Sequence, residues 1–517
     1  MTAYAVEARV QTIVTRAPAA IVAAVFFVVV WGFGIAGEYG WFTDELYFVA
    51  CSRRPALGYV DHPPLATLLL AGVRALTGET LWAIRIVPAL AGAVAVWLSG
   101  RLARRLGGEW FAELFAAFLV ATAPAVLVIS GFYSMNPFEL VIAVGLAHLA
   151  VEIADGTSPR SWLRFGALVG IGLLNKHTLI ITIALFTAGM LSSSVARRQL
   201  ATRWPWLGVA LALAIFAPHA VWLWQHDWIT VDFYRESTAL KNVTTTPLDA
   251  LVGQFLFVGP FVFLLAVFGA VALCRQPGRR GLGIAYFVGL AMMLVAGVSR
   301  PDRILGLYPL VFAAAAVVIE RRTRAHRWWR RGLLAFVIVG AAAPLPLLVP
   351  VLPPDQLERY AAWLDATPQL ERDKGVDGGS RLGQWMADRF GWPELARETA
   401  RVVATLPPAE QARVVLMGED YGAAGALELH GPAAGLTQRV ISTHNAYWSW
   451  GPGILPADPI IVGVARDPAL LRSAFTEVRE VGRVRCEHCY KHGTPVWIAR
   501  GLHTPLEARW PHARLFR

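Results

Sequence analysis

Residues 18–47 read PAAIVAAVFFVVVWGFGIAGEYGWFTDELY. The stretch from Pro18 to Ala36 is uncharged. At about 1.5 Å of rise per residue it is long enough to cross a hydrocarbon core of about 30 Å. An acidic pair, Asp44 and Glu45, follows within a few residues. Working outward, comparable apolar runs recur at about 81–100, 110–130, 137–154, 162–175, 178–194, 205–225, 250–273, 282–298, 304–319 and 332–351, eleven with the first. The 162–175 run is short and ends on Asn175-Lys176-His177. Composition agrees with this reading: 56% of the 517 residues are hydrophobic and 16% charged, where a soluble domain has about 45–50% and about 25%. A soluble enzyme and a disordered chain are both excluded. The net charge of +11 does not point to nucleic acid, because the basic residues punctuate apolar runs instead of lining one face. The partner implied is the lipid bilayer.

Arginine placement sets orientation. Arg101/Arg104/Arg105, Arg160/Arg164, Arg197/Arg198/Arg203, Arg275/Arg279/Arg280 and the arginines from Arg321 to Arg331 fall in alternate loops. With Arg9 and Arg16, those loops are expected in the cytoplasm. Eleven spans starting inside put residues 352–517 outside. The first helix is read as uncleaved, because no small-residue cleavage site ends it and Trp31, Phe33 and Tyr39 follow instead. Gly166, Gly170 and Gly172 read as close helix packing inside a span and not as a nucleotide loop. From Pro353 onward charge becomes frequent. Strands are expected at 413–418, 440–442, 459–463 and 495–498, with helices at 420–430 and 468–481. The fold class expected is therefore a polytopic α-helical membrane protein of about eleven spans, residues 1–352. A C-terminal extracytoplasmic α/β domain, residues 353–517, follows it.

Ionisable residues at membrane depth or at the mouth of a bundle are costly, which makes them functional candidates. Four clusters fall on the outer side: Thr43-Asp44-Glu45-Leu46-Tyr47; Gly58-Tyr59-Val60-Asp61-His62-Pro63-Pro64, closing the outer loop 38–80; Asn175-Lys176-His177; and Ser299-Arg300-Pro301-Asp302-Arg303. A carboxylate can take a proton from an acceptor hydroxyl, and cations stabilise charge on a departing phosphate. Each cluster also has a plainer reading: a helix cap for Asp44 with Glu45, a rigid turn for Asp61-His62-Pro63-Pro64, snorkelling for Lys176 and a topology anchor for Arg303.

Taken in order, Asp44-Glu45-Leu46-Tyr47, Gly58 to Leu65, Arg85-Ile86-Val87-Pro88-Ala89, Tyr133-Ser134-Met135-Asn136-Pro137, Gly172 to His177 and Tyr308-Pro309 resemble family 39 of the GT-C membrane glycosyltransferases. That family includes the protein mannosyltransferases and the bacterial aminoarabinose transferase of lipid A. The resemblance covers roughly residues 20–320. It implies transfer of a sugar from a polyprenyl-phosphate donor to an envelope lipid, polysaccharide or protein at the outer face of a bacterial inner membrane. By that likeness Asp44 is the catalytic base, Glu45 its neighbour in the motif and Asp61 a second acid. Lys176, His177 and Arg303 face the donor phosphate, and His62 is a possible substrate contact. Relatives often carry an acid where this chain has Asn136, with Glu139 one turn on, so these two are weaker candidates for substrate contact.

A nucleotide-sugar enzyme would commonly hold a metal through Asp-x-Asp, and the sequence has none; it has no Walker loop either. No cofactor and no metal are expected, the lipid-linked sugar being a substrate. A transporter or flippase of polyprenyl-linked saccharides is the alternative, but transporters commonly show internal repeats and none is evident here. Cys486 and Cys489 are read as a disulfide, with a metal site or unpaired thiols as alternatives. The segment from His444 to Trp448 is an aromatic-rich turn read either as a glycan contact or as a packed loop.

Overall fold

The computed structural model describes residues 17–240, 245–297, 301–365 and 382–517. Arg9, Arg16, Ser299, Arg300 and the Asp377-Gly378-Gly379 breaker lie outside the described residues. Each of the eleven apolar runs contains a helix. Five of the described helices are long and apolar enough to cross a membrane: Pro18–Ala36, Leu81–Arg105, Asn136–Asp155, Arg203–Gln225 and Pro301–Arg322. Two bent pairs raise the number to seven. Trp110–Ala121 meets Pro124–Ser130 at 66°, and Pro247–Val258 meets Pro260–Cys274 at 100°. The runs at 110–130 and 250–273 are thus broken, not straight, and each break has a proline at the start of its second segment. Proline lacks the N–H that would continue the ladder, and the residue before it is pushed out of the helical region. Ser161–Leu173, Leu179–Leu191 and Arg280–Val295 are apolar but shorter.

The outward faces are apolar. Val25, Val28, Trp206, Leu213, Trp224, Ile338 and Val339 are all exposed, a display that a lipid solvent accounts for and water does not. The chain is a multi-pass membrane protein. Helix Ser161–Leu173 lies against Arg203–Gln225 with glycine on both sides of the contact. A Cβ on Gly166 would come 2.0 Å from the Gly208 carbonyl oxygen, and one on Gly208 would come 2.4 Å from that of Trp162. The close-packing reading of 166–172 is therefore what the structure contains. Gly166→Val should lower the thermal midpoint of the detergent-purified protein, consistent with an overpacking cost of about 1–3 kcal/mol. An unchanged midpoint would mean the helices part without loss.

Two helices occupy the stretch expected as the outer loop, Thr43–Ser52 and Leu65–Thr77. After Pro353, five strands form one mixed sheet in the order β2-β1-β3-β5-β4: β1 Val414–Gly418, β2 Val440–Ile441, β3 Ile460–Val464, β4 Phe475–Arg483 and β5 Pro495–Leu502. β1 runs parallel to β2 and β3, while β5 is antiparallel to β3 and β4. The helix expected over 468–481 stops at Ala474, and the rest is β4. Glu477, Val478 and Arg479 pair with Arg500, Ala499 and Ile498; cross-strand pairing outweighs the helical spacing there. Helices Trp392–Ala404 and Tyr421–His430 cover one sheet face, and their core includes Leu46 from the Thr43–Ser52 helix. The strand-bearing half of the chain and the first inter-span segment therefore share a hydrophobic core.

Candidate active site

The Thr43–Ser52 helix starts with two acids whose surroundings differ. Glu45 is fully buried. Its Oε1 accepts from Arg85 Nε at 3.0 Å and from the Tyr133 backbone N–H at 3.1 Å, and its Oε2 from Arg85 Nη2 at 2.8 Å and from the Phe42 N–H at 2.9 Å. Arg85 also donates to the carbonyls of Gly34 and Gly40, both at 2.6 Å. This fork-to-fork pair is charge-assisted and ties the helix start to the first and second long helices and to the 131–135 turn. Both Glu45 oxygens are engaged by the protein.

Asp44 faces the other way and is partly exposed. The Tyr421 hydroxyl donates to its Oδ1 at 2.9 Å. Tyr421 stacks on Tyr47 with centroids 4.5 Å apart, and Tyr47 donates to Asp61 Oδ1 at 2.6 Å. Burial, and then the Asp61 charge, push the Tyr47 phenol well up, so it stays protonated and donates. Asn445 Nδ2 donates to the second Asp61 oxygen at 3.3 Å, and the Ala446 N–H donates to Tyr47 Oη at 3.1 Å. Asp44 and Asp61 thus flank a pair of stacked tyrosines, and the C-terminal half supplies Tyr421 and Asn445.

Asn445 lies in the 444–448 turn that the sequence offered as either a glycan contact or a packed loop, with no role of its own; its φ of 47° lies in the left-handed region, which asparagine tolerates better than most residues. Sequence reading missed Tyr421, which had no local signal. It is aimed by the start of its own helix, where Asp420 Oδ1 accepts from the Ala423 N–H at 2.7 Å, an N-cap. Lys491 Nζ bridges Asp420 and Glu419 at 2.7 and 2.6 Å. Burial opposes ionisation of Asp420. Lys491, with His444 and the cap N–H, overcomes that and holds its carboxyl well below the usual range. Glycine lets this helix come close: a Cβ on Gly422 would sit 2.3 Å from Thr43 Oγ1.

His62 is buried between Phe48 and Tyr59, each with its ring centroid 4.7 Å away, and its Nε2 has no partner among the described residues. Lys176 meets Asn136 Oδ1 at 2.9 Å, Glu139 Oε2 at 2.8 Å and Asp302 Oδ2 at 3.4 Å, so Asn136 and Glu139 belong with it in one cluster. His177 Nε2 lies 2.8 Å from His219 Nε2. Arg303 is partly exposed in the 3-10 turn Pro301–Leu307 beside that cluster. The Leu65 N–H donates to the Leu174 carbonyl at 2.9 Å and Asn175 Nδ2 to the Met135 carbonyl at 2.9 Å. Through these bonds the 58–66, 131–139 and 174–177 segments converge at one end of the bundle with the two acids. Cys486 and Cys489 are joined as a disulfide in the core that also holds Leu46 and Trp392.

A profile of the family described as dolichyl-phosphate-mannose-protein mannosyltransferase matches residues 61–222. An undecaprenyl phosphate-alpha-4-amino-4-deoxy-L-arabinose arabinosyl transferase of Pseudomonas paraeruginosa is 27% identical over 424 residues, 72% of this chain and 73% of that protein. A polyprenol-phosphate-mannose–protein mannosyltransferase of Mycobacterium tuberculosis is 31% identical over 239 residues, 38% of this chain and 45% of the relative. Other Pseudomonas arabinosyl transferases are matched over 24% and 28% of their length. The crystal structure of ArnT from Cupriavidus metallidurans in the apo state superposes with a TM-score of 0.60 at 14% identity, over 93% of this chain and 97% of that one. Its undecaprenyl-phosphate-bound form gives 0.59 at 15%, with the same coverage. Motif order, family profile and fold point the same way: residues 61–222 match the mannosyltransferase family, the arabinosyl transferase likeness runs over 72% of the chain, and the chain has the fold of ArnT.

Proposed function

We propose that this protein moves a sugar from a polyprenyl-phosphate donor to an envelope lipid, polysaccharide or protein at the outer face of a bacterial inner membrane. The observation that carries the reading is the pair Asp44 and Asp61, held by tyrosines at the same end of the bundle as Lys176 and Arg303. Relatives named for undecaprenyl- and polyprenol-phosphate sugars support the donor class, as does the ArnT structure with undecaprenyl phosphate. Arginine-rich alternate loops support eleven spans, with residues 353–517 on the outer side.

In the reaction Asp44 accepts the proton of an acceptor hydroxyl. The freed oxygen bonds to the anomeric carbon as the bond from that carbon to the phosphate oxygen breaks. The products are the glycoside and polyprenyl phosphate, and Asp44 later returns its proton to water. Asp61 and Tyr47 fix the acceptor side. Arg303 is the donor-phosphate ligand the geometry favours, since it forms no ion pair with a carboxylate among the described residues. Lys176 meets the phosphate only in competition with Glu139 and Asp302. His177, paired to His219, lines the same face. Glu45 acts at one remove, by holding the helix that carries Asp44.

The test is release of polyprenyl phosphate from a synthetic polyprenyl-phosphate sugar by the full-length protein in proteoliposomes, with mass spectrometry of the glycosylated acceptor. Charge stabilisation by side chains predicts that turnover persists after exhaustive EDTA treatment. Activity abolished by EDTA and restored by magnesium or manganese would overturn the metal-independent reading.

A further inference from the structure

The helix that carries Asp44 ends at Ser52, and the two arginines beyond it do not point back to the acids. Arg53 and Arg54 line a groove of about 570 Å³ between the first inter-span segment and the strand-bearing half. Arg439, Tyr447 and Trp450 line it from the other side, and Glu428 is its single carboxylate among the described residues. Arg54 pairs with Glu428 at 2.6 Å and lies 4.4 Å from the Trp450 centroid, so an indole and a guanidinium stand as one platform. Arg439 is exposed. Tyr447 is buried at the groove base, and its hydroxyl has no hydrogen-bond partner among the described residues, a rare state for a buried donor. At Thr437 to Arg439 the groove runs on into a second trough of about 470 Å³ along β1. Glu79 balances Arg53 and Glu428 balances Arg54, so the positive charge of this long lining rests on Arg439, beside the aromatic faces of Tyr447 and Trp450.

We infer that this groove is a remote acceptor subsite for an acidic saccharide, one bearing carboxylate or phosphate groups along a chain of sugars. The inference rests on the transferase reading above and adds the class of acceptor and the place where its non-reacting part is held. Arg53 and Arg54 are forked onto Glu79 and Glu428, so Arg439, which forms no ion pair among the described residues, is the fork that can match the paired oxygens of carboxylate or phosphate. Gln438 and Thr437 offer neutral hydrogen bonds to hydroxyls, and Trp450 offers an apolar face to a ring. The groove is also at a useful distance from the chemistry. Asp44 and Arg54 are ten positions apart, about 15 Å at helical rise, so only an extended acceptor reaches both. Tyr447 adjoins Ala446, which donates to Tyr47, so the short helix Asn445–Trp450 touches both the groove and the tyrosine pair. Binding energy from a remote part of a substrate serves to position the reacting end.

The test is binding of hexagalacturonate, with maltohexaose as the neutral control, to the full-length protein in phosphatidylcholine nanodiscs. The acidic hexamer should bind in a salt-sensitive way and the neutral one much more weakly. Arg439→Glu, at an exposed position, should weaken binding at least about 10-fold, the loss expected for a charge-assisted contact. Trp450→Ala should weaken it too, with Trp450→Phe retaining most of it as a check on folding. Equal affinity for both hexamers, no binding of the acidic one, or an Arg439→Glu variant that binds like wild type each overturns the subsite. Failure of the transferase reading looks different: hexagalacturonate binding and its dependence on Arg439 would persist while no sugar leaves the polyprenyl-phosphate donor.

Discussion

Asp44→Asn inserts and folds as wild type does and loses sugar transfer by about 10²–10⁴-fold, the range general-base catalysis supplies. The substitution keeps the shape of the side chain and keeps an oxygen for the Tyr421 hydroxyl, which now sits 2.9 Å from Oδ1. What it removes is the charge and the basicity. Docking of the strand-bearing half should survive, because Leu46 stays in the shared core and the contact at Gly422 is untouched. The measurement is initial rate of polyprenyl phosphate release alongside the thermal midpoint of the same preparation. A variant with a normal midpoint and near-normal rate would remove Asp44 from the chemistry and transfer the role to Asp61. Loss of both together would reduce Asp44 to a docking residue.

How much of this arrangement the sequence could carry depends on how local each cause is. Apolar runs are local, and every one of the eleven contains a helix. Their bends were less legible, although Pro124 and Pro260 mark both breaks. Prolines at Pro88 and Pro218 lie inside helices that the structure keeps continuous. What decides between a bent and a continuous helix is the packing around it, which a single run of letters does not contain. β4 was hidden for a related reason. Its residues favour a strand only because β5 lies beside it. At the site, Asp44, Asp61 and Lys176 stand out because charge is rare near apolar runs. Tyr421 and Asn445 do not, since they reach their acids across sequence separations of 377 and 384 residues. The adjacent Asp44 and Glu45 show the finer limit. One step along a helix turns a side chain by about 100°, enough to send one acid to Tyr421 and the other into the bundle.

That division gives Glu45 a different expected behaviour from Asp44. Arg85→Met should destabilise the whole protein, where Asp44→Asn leaves it standing. The Arg85 side chain is 2% exposed and that of Glu45 0%, and breaking a buried pair by removing one partner typically costs about 3–5 kcal/mol. The Gly34 and Gly40 carbonyls lose their donor as well. One neighbour offsets part of this. Burial, and then the charge of Arg85, pull the Arg389 guanidinium down to about 9, while Glu45 acts to raise it. With Arg85 gone, Arg389 is relieved of a like charge and remains as a cation for Glu45, so the loss should fall toward the lower end of that range. Even about 3 kcal/mol is more than a hundredfold in the folded fraction. The double variant Glu45→Met with Arg85→Met should recover much of the midpoint, because an apolar replacement of a buried pair is often neutral. Its transfer rate should remain low, since the Phe42 and Tyr133 N–H groups lose their acceptor and the helix start that aims Asp44 is no longer pinned. A thermal unfolding series on the four proteins of this cycle, read beside their turnover, separates the two effects. If Arg85→Met matches wild type in midpoint, the pair does not anchor the helix, and Glu45 returns as a candidate for the chemistry itself.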